Sequence, residues 1–571
     1  MQSSTTAKNK SLNIDEHLIS QLLQEQQEIT AVEKFSQYHR FTQRPLQKRF
    51  YEDKIPLSKP KIGQQFAFEV DMDRCTGCKS CVTACHSLNG LEDRELWRTV
   101  GVSNGGTLQK PRQQHITTSC HHCIEPACLQ GCPTKAYDKD PITGIVKHLD
   151  DQCIGCQYCV LKCPYEVPKY SQKLGIVRKC DMCSDRLKNN EAPACVQSCP
   201  TEAIKIKIVD KEQVRDNCRS STLVPGAHES SYTMPTTTYK TKKVLPSNIL
   251  PANFDLPKPQ PAHFPLIGML ILIQMSLGIY SIQFILPISQ SASWHAMIGL
   301  LCCFLGLLIS IFHLGRPLYA WRAILGVSHS WMSREILMFG IFSIAVCIHT
   351  ITSWKSFIFD ALPQLSYIIP APLTIVMNNL PISITAAAVI ITGTLGNICS
   401  IMLYADCDKE FWRAPITGIK FFGSVVILGL STSLLITTID MKDLQSLKDF
   451  YHMTGNHLMI ALGLICGSKV IWEGSIFRLI RSHKKSLLQQ SARLMYRKLL
   501  VITQMRFFCS IIGGVILPFM VYLQTRNGLF PSPQILVFTV FISFILTTIG
   551  EILERYLFFT AVVSHKMPGS F

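Results

Sequence analysis

The sequence predicts a chain of two parts, an α+β domain followed by an all-α polytopic membrane domain of about eight transmembrane helices. Two observations predict this division. The first 260 residues are polar and contain sixteen closely spaced cysteines, whereas residues 261–571 contain long apolar runs. The apolar content of 47% and the mean hydropathy of +0.20 are therefore averages over two very different regions. We expect an N-terminal helical extension at 1–60, the cysteine-rich domain at 61–215, a linker at 216–260 and the membrane domain at 261–571.

Composition and charge argue against some classes of protein. A net charge of +17 is compatible with nucleic-acid binding. In a chain with apolar spans, however, basic residues gather on one side of the bilayer, so we expect no nucleic-acid partner. The first thirteen residues are polar and no apolar run follows them, which predicts no export signal. Closely spaced cysteines in an unexported domain are typical of metal ligation and not of a disulfide framework.

Several short elements precede the membrane domain. Residues 13–38 carry apolar side chains at roughly helical spacing, which predicts a helix. This helix either packs on its own domain or docks a partner subunit, and the sequence leaves both possibilities open. Short strands are predicted at 66–70, 145–149 and 204–209. Residues 219–260 are rich in Ser, Thr and Pro without periodicity, which is typical of a linker.

The membrane domain contains eight apolar stretches, each long enough to cross a bilayer. They lie near 264–287, 294–314, 335–354, 383–404, 421–439, 457–477, 505–523 and 534–560. Residues 356–378 are also fairly apolar, but three prolines interrupt them. We therefore predict a loop or an interfacial segment there.

The sixteen cysteines form four groups of four. The first and third groups share the spacing C-x2-C-x2-C-x3-C, the second is C-x2-C-x4-C-x3-C and the fourth is C-x2-C-x11-C-x3-C. In chain order they are Cys75, Cys78, Cys81 and Cys85; Cys120, Cys123, Cys128 and Cys132; Cys153, Cys156, Cys159 and Cys163; and Cys180, Cys183, Cys195 and Cys199. Such a loop wraps one cubane with three thiolates, and its fourth cysteine ligates a different cluster. The spacing predicts a ferredoxin-like domain with four iron–sulfur clusters.

Zinc is the competing metal, but zinc sites usually consist of two separated C-x2-C pairs. The pairing of the four groups is less constrained. Two modules in series would pair the first group with the second and the third with the fourth. A nested arrangement would pair the first with the fourth and the second with the third. Spacing alone does not decide between these arrangements.

Residues 65–210 resemble the iron–sulfur subunit of the dimethyl sulfoxide reductase family of molybdopterin oxidoreductases. The resemblance lies in the segments CTGCKSCVTAC, CHHCIEPACLQGCP, CIGCQYCVLKCPYEVP and RKCDMCSDR. Residues 264–571 resemble the membrane anchor of that family at HLGRP (313–317), SWMSREI (330–336), FWRAP (411–415) and GEILERYLFF (550–559). The family usually makes these parts as two chains, whereas here they are fused.

The resemblance implies nested pairing and four [4Fe–4S] clusters. The implied ligand sets are Cys75, Cys78, Cys81 and Cys199; Cys85, Cys180, Cys183 and Cys195; Cys120, Cys123, Cys128 and Cys163; and Cys132, Cys153, Cys156 and Cys159. It also implies a separate molybdopterin-containing catalytic subunit as partner. That subunit would reduce an S- or N-oxide with electrons from the membrane quinol pool, menaquinol or ubiquinol.

The basic residues predict which way the chain sits in the lipid bilayer. Eight spans put both ends on one side, and the segments of that side carry nineteen Lys and Arg residues against four on the other. Basic residues favour the cytoplasmic side. We therefore predict a multi-pass protein of a bacterial inner membrane with its cysteine-rich domain facing the cytoplasm.

Two ionisable residues are candidates for quinol oxidation. His313 ends the second span and Glu335 opens the third, both at the face that carries the cysteine-rich domain. Quinol oxidation releases protons, so a histidine base with a carboxylate to orient it suits the reaction. The resemblance points to the same two positions, with Arg316 as a weaker candidate. A purely structural interpretation is that these residues only anchor helix ends.

Three alternatives remain beside quinol-driven reduction. The electron flow can run in reverse, with a dehydrogenase partner reducing quinone. An ion-translocating module would need several ionisable residues deep in the spans, and the sequence offers chiefly His349, Glu551 and Glu554. A haem-bearing anchor would need facing histidine pairs within the bilayer, whereas His295, His313 and His457 lie at span ends. We therefore expect no haem.

Overall fold

The computed structural model describes residues 53–56, 58–219, 221–285, 291–361, 381–441, 443–482, 485–527, 530–565 and 567–569, with a few positions before residue 38. The helix predicted at 13–38 lies outside the described residues except at those few positions. Most of the segment 356–378 also lies outside them, although the helix that precedes it continues to Ala361.

The cysteine-rich domain contains ten short strands in four small sheets. The strands are β1 (Gln64–Asp71), β2 (Thr99–Gly106), β3 (Pro111–Thr118), β4 (Tyr137–Lys139), β5 (Val146–His148), β6 (Lys169–Ser171), β7 (Ile176–Arg178), β8 (Ile204–Asp210), β9 (Thr238–Lys240) and β10 (Leu250–Pro251). The sheet orders are β8-β1-β9, β10-β2-β3, β4-β5 and β6-β7. The predicted strands at 66–70, 145–149 and 204–209 coincide with β1, β5 and β8.

The pairing of β1 with β8 joins the two ends of the cysteine-rich domain. The two strands are antiparallel, with Gln64 opposite Asp210 and Val70 opposite Ile204. Alternate apolar residues of both strands turn inward, so that Phe68 and Ile206 are buried in the same core. The cysteine loops therefore lie in the part of the chain between these two paired strands.

The segment 216–260, predicted to be a linker, is folded against the cysteine-rich domain. Its strand β9 pairs in parallel with β1, and its strand β10 pairs with β2. The sequence did not predict this because both strands are edge additions of only two or three residues, too short to produce a periodic pattern.

Six short helices complete the cysteine-rich domain, and each of them contains a cysteine or directly adjoins one. They are α1 (Ser80–Leu88), α2 (Ala127–Gly131), α3 (Tyr158–Lys162), α4 (Ser184–Lys188), α5 (Ala194–Gln197) and α6 (Lys211–Cys218). The last of these has a good N-cap, because the carboxylate of Asp210 accepts hydrogen bonds from the backbone of Glu212 and Gln213.

The membrane domain consists of eight candidate spans among the described residues, which confirms the predicted number. Its helices are α7 (Phe264–Ile285), α8 (Ala292–Ile311), α9 (Trp331–Ala361), α10 (Ile382–Ala405), α11 (Ala414–Asp440), α12 (Leu444–Phe450), α13 (Asn456–Gly474), α14 (Leu487–Tyr496), α15 (Leu500–Ile511), α16 (Leu517–Arg526) and α17 (Pro533–Thr560). The sixth span combines α12 and α13, and the seventh combines α15 and α16. A π-helical turn joins the two helices in each case.

Helices α7 and α11 form the centre of the membrane domain. They are the most deeply buried of the spans, and they meet at Gly278 and Gly429. A Cβ atom on Gly278 would collide with the backbone oxygen of Val425, so only glycine allows this close approach. Helices α8, α9 and α10 surround one side of this pair, whereas α13, α15, α16 and α17 surround the other.

The last described residues return to the cysteine-rich domain. Met567 is fully buried in the same core as Phe68, and the backbone of Gly569 lies against that of Gly101. The ring of His565 packs edge-on against His228, with their centroids 5.4 Å apart. Chain segments from both ends of the membrane domain therefore hold the cysteine-rich domain.

Candidate functional site

The cysteine loops fold tightly because several of their residues adopt left-handed backbone conformations. Gly77 and Gly155, each just before the second cysteine of a group, have φ values of 78° and 72°. Lys79 and Gln157, just after that cysteine, have φ values of 65° and 58°. These turns aim backbone N–H groups at sulfur, as in the hydrogen bond of 3.4 Å from Gly155 to Cys153 Sγ. Such donors stabilise thiolate ligands.

One set of four cysteines lines a single cavity. The cavity lies between the second and third cysteine groups. Its four cysteines are Cys120, Cys123, Cys128 and Cys163. A second cavity lies where the first and fourth groups meet, and its four cysteines are Cys75, Cys78, Cys81 and Cys199.

The remaining eight cysteines also approach one another across groups. Burial raises the pKa of Cys85, and the neighbouring Cys195 and Cys183 raise it further. Burial likewise raises the pKa of Cys156, and Cys132 contributes in the same direction. Thiolates placed this close repel one another unless cations lie between them.

Four thiols around a cavity suit a multi-iron core. Each of the two cavities is lined by four cysteines, three from one group and one from another, as a cubane with four thiolate ligands requires. The cysteines thus fit iron–sulfur clusters.

Two buried cations lie among the cysteines. Arg98 is 2% exposed, donates hydrogen bonds to Thr117 and Ser119, and stacks over the ring of Phe68. Lys179 is 3% exposed and donates to the backbone carbonyl of Cys180 at 2.9 Å. Buried charges require partners, and the surrounding thiolates supply negative charge here.

The third cysteine group lies directly against the membrane domain. The backbone N–H of Arg316 donates to the carbonyl of Ile154 at 3.1 Å, and Ser330 Oγ donates to the carbonyl of Gly131 at 2.7 Å. Gly155 and Gly315 pack backbone against backbone, and a Cβ atom on Gly315 would collide with the backbone of Gly175. This contact brings Cys153 and Cys156 to the membrane surface.

A buried ion pair strengthens the same interface. Lys162, in α3, pairs with Asp406, which follows α10. Tyr158 donates a hydrogen bond to the carbonyl of Leu403 at 3.1 Å, and Tyr232 donates to the carbonyl of Asp406 at 2.7 Å. The loops that make these contacts are the ones rich in Lys and Arg, so the cysteine-rich domain lies on that face of the membrane domain.

His313 lies at the junction of the two domains. It is 9% exposed, and burial lowers the pKa of His313. The nearby backbone of Cys156 raises the pKa of His313 and so opposes this shift in part. The ring of His263 packs edge-on against it at 5.1 Å. Arg316 donates from Nη1 to the carbonyl of Asp150 at 2.8 Å, which fixes the loop that follows His313.

Glu335 lies inside the membrane domain near the same face. It is 6% exposed and accepts a short hydrogen bond from Ser400 on α10. Within the part of the molecule that the structure describes, no hydrogen bond or ion pair joins Glu335 to His313. The two residues therefore flank the 315–334 loop without direct contact.

A buried charge network lies in the other half of the membrane domain, and the sequence pointed to only two of its members, Glu551 and Glu554. These two carboxylates pair with Lys420, Lys469, Arg506 and Arg555, and Glu473 pairs with Arg506. Lys469 and Glu473 lie four residues apart inside the predicted sixth span, a spacing that places them on one helix face and that was available in the sequence.

Residues 263–561, more than half of the chain, match the family described as DMSO reductase anchor subunit. This protein belongs to the dimethyl sulfoxide reductase anchor family. Residues 112–209 match the family described as 4Fe-4S dicluster domain. The resemblance inferred from the motifs is thereby confirmed: this is an integral membrane protein in which an iron–sulfur electron-transfer subunit is fused to its anchor.

Three relatives match the iron–sulfur part of this dimethyl sulfoxide reductase-type protein. The B subunit of the anaerobic dimethyl sulfoxide reductase of Escherichia coli K12 is 37% identical over 155 residues, which is 26% of this protein and 75% of the relative. Thiosulfate reductase electron transfer subunit PhsB of Salmonella typhi is 36% identical over 163 residues, or 27% and 81%. Hydrogenase-2 operon protein HybA of Escherichia coli O157:H7 is 32% identical over 209 residues, or 32% and 62%.

Proposed function

We propose that this protein takes electrons from membrane quinol and delivers them to a separate molybdopterin-containing subunit that reduces an S- or N-oxide. The observation that carries the proposal is the docking of the loop after His313 on the third cysteine group, where the backbone N–H of Arg316 donates to the carbonyl of Ile154 at 3.1 Å. A candidate quinol base thereby lies beside a loop that carries candidate cluster ligands. We place the protein in a bacterial inner membrane with the cysteine-rich domain facing the cytoplasm.

The sixteen cysteines fit four [4Fe–4S] clusters held in nested sets. The two cavities support this pairing, because each is lined by three cysteines of one group and one of its nested partner. When bound, the clusters carry single electrons between the membrane and the partner subunit. Arg98 and Lys179 compensate negative charge within the domain, and backbone N–H groups fix the sulfur positions.

The residues at the junction suit oxidation of a quinol. Each quinol loses two electrons and two protons on becoming a quinone. The imidazole of His313 accepts one proton, and the carboxylate of Glu335 accepts the other from its position in α9. Arg316 acts as a positioning residue, because it ties the loop after His313 to the cysteine-rich domain.

A second candidate function runs the same path in reverse. The match to a protein named for the hydrogenase-2 operon favours this alternative, in which a dehydrogenase partner supplies electrons and quinone receives them. Redox titration of the clusters against the quinone pool separates the two directions.

The test of the quinol site uses His313→Ala and Glu335→Gln separately. Turnover driven by quinol is expected to fall severely, while turnover with an artificial donor that feeds the clusters directly is retained. His457→Ala is the matched control, since His457 is an exposed histidine that bonds only to a backbone carbonyl of its own helix. Normal quinol turnover and normal binding of a quinone-site inhibitor in both variants would place the site elsewhere.

The proposed orientation has its own test. Protease added to sealed, right-side-out spheroplasts is expected to leave residues 1–260 intact, because they face the cytoplasm. Opening the membrane is the control that makes those residues accessible. Cleavage in sealed spheroplasts would reverse the orientation.

A further inference from the structure

Seven charged side chains are buried together between helices α11, α13, α15 and α17. None of the seven is more than 9% exposed. They are the carboxylates Glu473, Glu551 and Glu554 and the cations Lys420, Lys469, Arg506 and Arg555. Charged groups within a bilayer are costly and rare, and they usually mark a functional site.

One part of this network is saturated by its own members. Glu551 lies 2.5 Å from Lys469 Nζ and 3.2 Å from Arg506 Nη2, and it also accepts a hydrogen bond from Ser424. Arg506 in addition lies 3.2 Å from Glu473. The ion pairs offset the free-energy cost of burying these charges. Their role is therefore structural, since they hold the helices together.

The other part of the network is not saturated. Lys420 and Arg555 lie 3.0 and 3.3 Å from the two carboxylate oxygens of Glu554, yet among the described residues neither oxygen receives an aligned hydrogen bond. Glu554 is 2% exposed. An acceptor buried in this way costs free energy unless a further donor reaches it.

A cavity of about 320 Å³ opens beside Glu554. Lys420, Glu473, Arg506 and Glu554 form its polar side, and apolar residues such as Trp472 and Phe507 form the rest. A further cavity of about 620 Å³ shares Phe507 and is lined mainly by apolar side chains. The first cavity offers polar groups to a ring, and the second offers an apolar surface to a long tail.

The polar side of the cavity selects for a neutral head group. Lys420 and Arg506 donate hydrogen bonds to carbonyl oxygens, whereas Glu473 and Glu554 accept them from hydroxyls. The two carboxylates balance the two cations, so this side of the cavity carries no net positive charge to attract a phosphate head group. A ring with two oxygens that exist as carbonyls or hydroxyls, on an isoprenoid tail, matches both polarities.

We propose that this cavity is a second quinone-binding site, separate from the one at His313 and Glu335. The inference rests on the proposed function, since it takes quinone as the lipid that the membrane domain uses. The cavity lies at the same membrane face as the cysteine-rich domain, because Asp255 reaches Lys485 and Arg493 beside α14. A second quinone can therefore reside close to the first site.

The first experiment maps the site on the unaltered complex. A radiolabelled azido-quinone is bound to the purified complex and photolysed, with and without excess unlabelled quinone. Labelled peptides are expected from 472–507 as well as from 313–335, and competition is expected to remove both labels. Label at 313–335 alone overturns the second site but leaves the proposed function intact. Absence of competed label from both regions contradicts the proposed function as well.

The second experiment fills the cavity. Ile476→Trp adds an indole to the cavity wall, whereas Ile471→Trp places the same group on a lipid-facing position that is 75% exposed. The quinone content of the purified complex is expected to fall by about half in Ile476→Trp and to stay unchanged in Ile471→Trp. If quinone content stays constant in both and tightly bound phospholipid falls in Ile476→Trp, the occupant is a phospholipid and the inference is wrong.

Discussion

The cysteine-rich domain and the membrane domain both bury charge, but they assemble it in different ways. In the first, a loop of eleven residues contributes three candidate ligands of one cluster, Cys75, Cys78 and Cys81. In the second, Lys420 meets Glu554 across 134 positions of sequence, and Lys469 meets Glu551 across 82. Local loops therefore reveal their chemistry in the sequence, whereas a network assembled from separate helices does not.

The same difference governs how each region responds to the loss of one group. A cluster ligand acts within its own set, so its loss affects electron transfer first. A member of the buried network compensates several others, so its loss leaves uncompensated charges in the bilayer and affects stability first.

The largest effect is expected for Cys156→Ser. Cys156 lies at the contact with His313, so quinol-driven turnover is expected to fall to background while the protein still accumulates in the membrane. Electron paramagnetic resonance of the reduced protein is expected to lose or change one cluster signal. Cys218→Ser is the control, because Cys218 is buried in the same domain without ligand spacing. A variant that keeps full quinol turnover and all signals would contradict the assignment.

Glu551→Gln tests the buried charge network of the membrane domain. Removing this carboxylate takes away one of the two carboxylates, Glu551 and Glu473, that the buried cations Lys469 and Arg506 share, which is expected to cost about 3–5 kcal/mol. Thermal unfolding of the purified protein in detergent measures the loss. Asp449→Asn, an exposed carboxylate on α12, is expected to change the midpoint little. Equal midpoints in the two variants would show that the network is not structural.

Asp406→Asn tests the contact between the two regions. Asp406 is paired with the buried Lys162, so the loss is expected to weaken docking by about 1–3 kcal/mol. Hydrogen exchange of α3 is expected to accelerate while that of α7 and α11 remains slow. Asp185→Asn removes an exposed pair on α4 and serves as the control. Uniform acceleration throughout the protein would indicate global destabilisation instead.

The smallest effect concerns pH. Burial lowers the pKa of His228, but the bond to Asp408 outweighs it and the net pKa is raised, whereas His228 holds the pKa of Asp408 below its usual range. The His228 contribution is complete below its unfolded pKa near 6.5 and disappears as pH rises through the raised value. The Asp408 contribution is present above about 3.8 and disappears at lower pH.

The pair of His228 and Asp408 is therefore expected to stabilise docking most between the lower pH limit set by Asp408 and the upper pH limit set by His228. Above the upper limit the stabilisation is expected to fall, by less than about 1 kcal/mol because Asp408 is largely exposed. Hydrogen exchange of residues 226–232 measured across this pH range checks the effect. Asp408→Asn is expected to flatten the dependence, and a wild-type profile that is already flat would rule out the pair as its source.

Much of the architecture was predictable from the sequence. The spacing of cysteines and the period of the strands indicated the α+β domain, and the apolar runs indicated eight spans, because both signals are local. The helices extend beyond the apolar runs, however. The predicted spans begin at 421 and 505, whereas α11 begins at Ala414 and α15 at Leu500, so that Lys420 and Arg506 lie buried within helices and not at the ends of spans.

The candidate quinol site was less predictable. His313 was proposed from its position at a span end, but its contact with Cys156 depends on how the two domains dock. That docking requires Gly155 and Gly315 to pack without side chains, and neither glycine belongs to a periodic pattern. The role of such a glycine pair can be recognised only from the structure, in which the two surfaces are in contact.

The return of His565 and residues 567–569 to the cysteine-rich domain has a consequence for how the two parts of the chain are joined. Met567 lies in the same core as Phe68, so residues that follow the last span complete the core of the cysteine-rich domain. The two parts are therefore held together by non-covalent contacts of this tail as well as by the covalent connection before the first span.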